Sequence, residues 1–287
     1  AYDITFTEND RILNYHIINE NEQAKGEKWY AYKIYNPCCG YHNGYTYSDT
    51  LNPNAVNKFI EVTHEKYKEV LKDDFGKTVS SIFTDEPSFG RIFLKAFARD
   101  GKDLFFPWTE LFPLLYLKEY NDDILNHLPE LVWDLNNNQI SATRYRFYRL
   151  LSELFSKTFC DRIGKWCMEN KIALVGHTLD EDSLLMQMCA VGESMRTYKE
   201  FKVPGIDMLC NDVHFTTIKQ AQSVAHQYKK EGVLSELYGV TGWDFDFRGH
   251  KSQGDWQAAL GVNKRVLHLS WFSMQGAAKR DYPASIN

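Results

Sequence analysis

The chain has 287 residues, of which 44% are hydrophobic and 25% charged, with a net charge of −5. This composition is typical of a globular protein and argues against intrinsic disorder. Basic residues do not cluster, and no apolar stretch approaches the roughly 18 residues of a membrane span, so we expect neither nucleic acid nor a membrane as a partner. Aromatic residues make up 15% of the chain, which suits a packed core and also surfaces that stack on sugars.

The six cysteines are not spaced like metal ligands. None of them belongs to a Cys-x-x-Cys pair, and Cys160 and Cys167 lie roughly 10 Å apart along one predicted helix, too far for a disulfide bond. We therefore expect free thiols and no metal site, which favours a reducing compartment and leans towards the cytoplasm. The first residues lack the basic and apolar regions of a signal peptide, although a signal peptide could have been removed.

The N-terminal 48 residues predict a β-hairpin followed by a long loop. Residues 1–20 alternate between apolar and polar positions on both sides of a polar turn. Residues 29–35 are a further strand candidate. Residues 37–47 are rich in Gly, Asn, Tyr, Cys and His, a composition that indicates an ordered loop.

From residue 49 onward, predicted helices and strands alternate. Asn52 is a good N-cap and Pro53 suits the first helical position, so a helix begins there. Residues 100–140 are irregular and aromatic, which indicates an insertion between a strand and its helix. The other predicted elements are strands at 79–83, 172–175, 205–209, 233–236 and 265–271, and helices at 141–170, 181–200, 216–230 and 255–262.

This alternation predicts a parallel sheet, and the chain length favours its closure into a (β/α)8 barrel of the TIM type. About six strands of barrel type are found where eight are needed, and no helix follows the last strand. We therefore expect an incomplete barrel that lacks its first one or two strands and its closing helix. Residues 1–287 are predicted to form one catalytic domain, in which residues 1–48 lead into the repeats of 49–287.

Two glutamates directly follow apolar strands. Glu86 lies beside Asp85 in the segment VSSIFTDEPS, and Glu236 lies in the segment GVLSELYG. Barrel enzymes keep their catalytic groups at the carboxyl ends of strands, and two carboxylates are the minimum for cleaving a glycosidic bond. Asp85 would raise the pKa of Glu86, as a general acid requires. One such glutamate alone is more often a helix cap or an arginine partner, but the pair favours catalysis.

Further polar and aromatic side chains near strand ends are candidate sugar contacts, although a structural role is about as common for such residues. Trp243 would be a stacking platform and Asp244 a hydroxyl acceptor in the loop after Glu236. Asp207 lies inside a predicted strand and can point into the barrel. The predicted substrate contacts are Asp85, His177, Asp212, His214, Tyr238, Trp243, Asp244 and His268.

Three motifs occur in order along the chain: FTDEP at 83–87, SELYG at 235–239 and KRDYP at 279–283. Together with shorter stretches between residues 45 and 287, they resemble the barrel domain of bacterial glycoside hydrolases of the α-L-rhamnosidase type, family 106 and its relatives. The resemblance implies a glycoside or oligosaccharide substrate and an inverting mechanism with Glu86 as general acid and Glu236 as general base. It implies no required cofactor, with a calcium ion near the site in some members.

Two other functions are compatible with these residues. In retaining glycosidases of the β-galactosidase type, Glu236 would be the nucleophile. Carboxyl groups about 5–5.5 Å apart would indicate retention, and a separation of about 6.5–9.5 Å would indicate inversion. Alternatively, the chain or a longer parent protein binds glycans without cleaving them.

Overall fold

The chain forms two β-sheets connected by helices, described for residues 1–90, 103–242, 244–268, 273 and 275 in a computed structural model. The elements in chain order are β1 (Tyr2–Phe6), β2 (Ile12–Ile17), β3 (Glu27–Trp29), α1 (Pro53–Phe59), α2 (Glu65–Leu71), β4 (Ser81–Thr84), α3 (Phe112–Tyr120), α4 (Pro129–Val132), α5 (Ala142–Phe155), α6 (Asp161–Glu169), β5 (Ala173–Gly176), α7 (Leu184–Ala190), α8 (Ser194–Thr197), β6 (Val203–Met208), α9 (Phe215–Gln227), β7 (Val233–Leu237), α10 (Phe247–Ala259) and β8 (Val262–Leu267).

The N-terminal sheet is antiparallel, with the strand order β2-β1-β3. The hairpin predicted for residues 1–20 is present as β1 and β2. The strand predicted at 29–35 is displaced, because β3 ends at Trp29 and pairs with β1. The buried side chains of Ile4 and Ile12 pack against Trp133, so this sheet rests on the segment before α5.

The second sheet is parallel and has five strands in the order β4-β5-β6-β7-β8. On one face, Ile206 of β6 packs against Ile218 of α9. On the other face, Val175, Val203 and Leu234 of three neighbouring strands form a small apolar cluster of their own. The sheet therefore has one face covered by helices and one face whose apolar part is narrow.

The prediction of a (β/α)8 barrel is wrong. In the described residues the parallel sheet has five strands, and β4 and β8 are its edges rather than partners of each other. The number of barrel strands counted in the sequence was too high, because the strand candidate at 29–35 belongs in part to the antiparallel sheet. The described part of residues 100–140, which was predicted to be an insertion, contributes α3, α4 and short turns between β4 and α5.

The helix starts follow from local sequence. The side chain of Asn52 accepts a hydrogen bond from the N–H of Asn54 at 3.0 Å and caps α1, as predicted. Ser141 caps α5 by accepting from the N–H of Arg144 at 3.0 Å. Wider π-type turns at Ile60–His64 and Ser156–Cys160 join α1 to α2 and α5 to α6, so each pair is one long helix.

The sequence predicted free thiols and no membrane-spanning segment, and the structure describes both the cysteines and the helices. All six cysteines are free thiols, and Cys160, Cys167 and Cys189 are buried. Within the described ranges, none of the helices combines the length and the apolar character that crossing a bilayer requires.

Candidate active site

Polar side chains from five neighbouring strands share one face and one end of the parallel sheet. Asp207 pairs in register with Glu236, so their side chains point to the same face as the apolar cluster of Val203 and Leu234. Val175 belongs to that cluster, and His177 lies two residues further along the same strand direction. From β4 to β8, the side chains at this end are Asp85, His177, Asp207, Glu236 and His268.

Three of these side chains converge. The Nε2 atom of His177 lies 2.9 Å from Oε2 of Glu236 and 3.4 Å from Oδ1 of Asp85. One oxygen of each carboxylate and one ring nitrogen of His177 lie within 4.8 Å of one another. His177 is fully buried, whereas the Glu236 side chain is 13% exposed and that of Asp85 is 75% exposed. The histidine therefore lies beneath two carboxylates that reach solvent.

Gly176 brings His177 close to β4. Its φ of +123° is disfavoured for residues with a side chain, and a Cβ atom there would lie 2.0 Å from the carbonyl oxygen of Thr84. The N–H of His177 donates a hydrogen bond to that same carbonyl at 3.2 Å. The ring of Phe83 packs edge to face against the imidazole, with the two ring centroids 5.6 Å apart. The sequence Gly-His after β5 thus places the imidazole beside the end of β4.

Glu86 lies at a fixed turn. Its φ of +45° is in the left-handed region, which a glutamate rarely adopts. Two residues later, the carbonyl of the buried Ser88 accepts hydrogen bonds from Thr50 at 2.7 Å and from Tyr47 at 3.2 Å. The exposed Glu86 is therefore placed between a strand and an anchored segment.

The environment of His177 favours its charged form. Burial alone would lower the pKa of this histidine, but the hydrogen bond that it donates to Glu236 and the negative charges of Glu181, Asp207 and Glu236 outweigh burial and raise the pKa to about 9. At neutral pH the ring is therefore an imidazolium. This buried cation sits among several carboxyl groups.

Two of those carboxyl groups hold their protons unusually tightly. Burial raises the pKa of Asp207 to about 7 against the lowering effect of His177, and the charges of Glu236, Glu86 and Asp85 act in the same direction as burial. Burial also raises the pKa of Glu181 to about 7, again opposed by His177. Because Glu86 acts on Asp207, the two carboxyl groups lie within electrostatic reach of each other.

The cluster fits a calcium ion poorly. Within the described ranges, Asp85, His177 and Glu236 form the group of three side chains that could hold a metal. Calcium takes six to eight oxygen ligands, whereas this group offers two carboxylates and one ring nitrogen. No catalytic step is therefore assigned to calcium.

The other predicted contacts lie near the cluster or away from it. Asp212 and His214 are exposed in the segment between β6 and α9. Tyr238 is buried against α10, with its ring 4.8 Å from that of His250 and its N–H donating to Gln253 at 3.1 Å. The half-buried His268 touches Gly239, and Asp244 is exposed, while Trp243 and the KRDYP motif lie outside the described residues.

Sequence reasoning missed Glu181. It follows β5 in the acidic run Asp180-Glu181-Asp182, and nothing in the sequence distinguishes it from its neighbours. In the structure it is buried, while Asp182 is exposed. Asp207 was noticed but not predicted as a site residue, although its place one strand before Glu236 was the available signal.

Comparison with known proteins gives a relationship in fold. No family model and no curated protein matches this chain. A solved structure of a rhamnosidase from Novosphingobium sp. PP1Y superimposes with a TM-score of 0.60 at 20% identity, over 78% of this chain and 21% of that one. This chain thus spans about a fifth of that protein's length. At such low identity the match establishes a similarity in fold between most of this chain and one part of that protein.

Proposed function

We propose that this chain carries the catalytic groups of a glycoside hydrolase that acts on α-L-rhamnosides or related glycans. The observation that carries the proposal is the convergence of Asp85, His177 and Glu236 within 4.8 Å at the carboxyl end of the sheet. A pair of carboxyl groups that flank the scissile bond is the equipment for glycosidic cleavage. The similarity in fold to part of a rhamnosidase supports the choice of substrate.

Glu236 is the better supported of the two proposed catalytic residues. Its carboxylate accepts a hydrogen bond from the charged His177 at 2.9 Å, which fixes its position. It also keeps 13% of its surface open to solvent. An oriented and accessible carboxylate suits a general base in an inverting enzyme or a nucleophile in a retaining one.

Glu86 is the proposed general acid. It is exposed on the anchored turn after β4 and lies within electrostatic reach of Asp207, which is the register partner of Glu236. In the inverting reaction Glu86 gives its proton to the glycosidic oxygen as the bond from that oxygen to the anomeric carbon breaks. A water molecule attacks the anomeric carbon from the opposite face and passes its proton to Glu236.

The remaining predicted contacts would bind the sugar. Asp212 and His214 are exposed in the segment after β6, at the same end of the sheet, which supports their proposed contact with a glycan at the rim. Asp207, which holds its proton up to a pH of about 7, can donate a hydrogen bond to a sugar hydroxyl. Trp243, Asp244, Tyr238 and His268 remain proposed contacts from the sequence.

The test is hydrolysis by Glu236→Gln and by a matched control, Glu231→Gln. Both glutamates belong to the same strand region, but Glu231 is exposed before β7 and forms an ion pair with Lys202. With 4-nitrophenyl α-L-rhamnoside, we expect E236Q to lose roughly 1,000-fold in kcat and E231Q to match the wild type. Equal activity of the two variants would contradict the role of Glu236. Glycan binding by the wild type without any hydrolysis would favour a binding protein.

Glu86→Gln separates the acid from the base. Nitrophenolate leaves without help from an acid, whereas an alkyl alcohol needs the proton. We therefore expect E86Q to abolish hydrolysis of an alkyl rhamnoside and to affect the nitrophenyl substrate much less. An equal loss on both substrates would contradict this role. The anomer that appears first, followed by proton NMR, separates inversion from retention.

A further inference from the structure

We propose that Glu181, which takes no part in the proposed reaction, is a positioning residue that holds His177 and Asp207 in place from the buried side of the site. The inference rests on the proposed function for its effect on turnover. Its structural part concerns the charge and position of His177 and can be tested without a substrate.

Hydrogen bonds hold both the carboxylate and the backbone carbonyl of Glu181. One carboxylate oxygen accepts a hydrogen bond from the backbone N–H of Asp207 at 2.7 Å, and the other accepts from the hydroxyl of Tyr198. Its own carbonyl accepts from the side chains of Gln187 at 2.9 Å and Gln220 at 3.3 Å. Replacing this side chain would therefore leave two buried donors, the N–H of Asp207 and the hydroxyl of Tyr198, without their partner.

The hydroxyl of Tyr198 extends this link to His177. It accepts a hydrogen bond from the N–H of Thr178 at 3.3 Å and lies 3.2 Å from the hydroxyl of the same residue. Thr178 directly follows His177, so the position of the histidine backbone depends on Tyr198. Glu181 thus connects the loop after β5 to β6, the strand that carries Asp207.

Glu181 also acts on the charge of His177. The acidic groups that face this histidine come from three other strands: Asp85 follows β4, Asp207 lies on β6 and Glu236 lies on β7. Glu181 lies in the same loop as the histidine. The charge of Glu181 is among those that raise the pKa of His177. Removing it should make the histidine easier to deprotonate and weaken its pairing with Glu236.

The test compares Glu181→Gln with Asp182→Asn. Each variant removes one negative charge from the same loop, but Asp182 is exposed. In an NMR titration of the histidine rings, we expect E181Q to lower the pKa of His177 by about one unit and D182N to leave it unchanged. We also expect kcat to fall roughly tenfold in E181Q with little change in KM. An unchanged pKa of His177 in E181Q would overturn the proposal.

Tyr198→Phe decides the matter if E181Q does not fold. This variant keeps the buried ring and removes the hydroxyl that joins Glu181 to Thr178. We expect a cooperative unfolding transition like that of the wild type, with kcat lowered several-fold, and a kcat equal to that of the wild type would contradict the proposal. If the wild type hydrolyses no glycoside but E181Q still lowers the pKa of His177, the proposed function fails while the positioning role stands.

Discussion

Charged side chains are exposed to solvent at one end of the parallel sheet and clustered around a buried histidine at the other. At the amino end, Lys202 and Glu231 pair at 2.9 Å with both side chains more than half exposed, so water solvates each of them. At the carboxyl end, the single buried imidazolium of His177 faces Asp85, Asp207 and Glu236. The pair at the first end is exposed to solvent, whereas the carboxyl groups at the second end depend on a shared buried cation. This contrast locates the site without reference to any relative.

Residues with left-handed backbone occur at both ends of the parallel sheet, but in different structural contexts. At the amino end the left-handed conformation falls on Lys171, just after α6, and on Lys229, just after α9, where helices commonly end in this way. At the carboxyl end it falls in the loops after four strands, on Glu86, Asp180, Cys210, Asn211, Tyr238 and Val240. Val240 is β-branched, so its φ of +56° is the costliest of these. Backbone strain at residues other than glycine is common at functional sites.

Gly176→Ala should have the largest effect. The added Cβ atom would lie 2.0 Å from the Thr84 carbonyl at a φ that alanine disfavours, so β4 and β5 must separate. We expect a loss of about 4 kcal/mol in the free energy of unfolding, measured by urea denaturation. Gly40→Ala is the control, because an added Cβ there meets no atom within 4 Å, and it should change stability by less than about 0.5 kcal/mol. Equal stability of the two variants would refute the close contact.

The dependence of stability on pH tests the shared cation. The pKa of His177 is raised from 6.5 to about 9 by folding, so its contribution is complete below pH 6.5 and is lost as the pH rises to about 9. The pKa of Glu181 and that of Asp207 are also raised, to about 7, so stability should already fall from about pH 4 to 7. The share of His177 is about 3 kcal/mol.

His177→Gln should flatten the upper part of that profile, between pH 6.5 and 9, in urea denaturation at several pH values. His226→Gln, which changes an exposed histidine on α9, serves as the control and should leave the profile unchanged. A wild-type protein that becomes more stable between pH 6.5 and 9 would contradict the proposed charge of His177.

Val240→Gly and Lys229→Gly relieve left-handed backbone at opposite ends of the sheet. Each should raise the free energy of unfolding by about 1 kcal/mol, because glycine removes the steric cost. We expect kcat to fall several-fold in V240G, whose loop follows Glu236, and to stay unchanged in K229G. If both variants keep full activity, the strain after β7 has no part in the function.

Glu231→Gln should have the smallest effect on stability. The pair with Lys202 is exposed at the amino end, and such pairs contribute little. We expect a change of at most about 0.5 kcal/mol, which disappears at high salt. A larger loss would show that the amino end also depends on paired charges.

Local sequence predicted the elements better than their assembly. The cap at Asn52 and the strands at 172–175, 205–209 and 233–236 were found within about two residues, because caps and apolar runs act over short distances. Closure of the sheet was predicted wrongly, because it depends on pairing between strands far apart in sequence. The strand count alone cannot report that pairing.

The site was predicted in part for the same reason. His177, Asp85 and Glu236 were each recognised as polar residues after apolar strands, and the parallel register brings them together. The sequence emphasised Glu86, whereas its neighbour Asp85 makes the contact with His177. Glu181 could not be found, because burial among three consecutive acidic residues depends on tertiary packing.

The pairing of Asp207 with Glu236 limits where this chain can tolerate insertions and deletions. One residue added within β6 or β7 would turn the downstream side chains to the opposite face, and one of the two carboxyl groups would leave the site. The same residue added between α9 and β7, at 228–232, would lengthen a connection and leave the pairing unchanged. Length variation in functional homologues should therefore be confined to such connections.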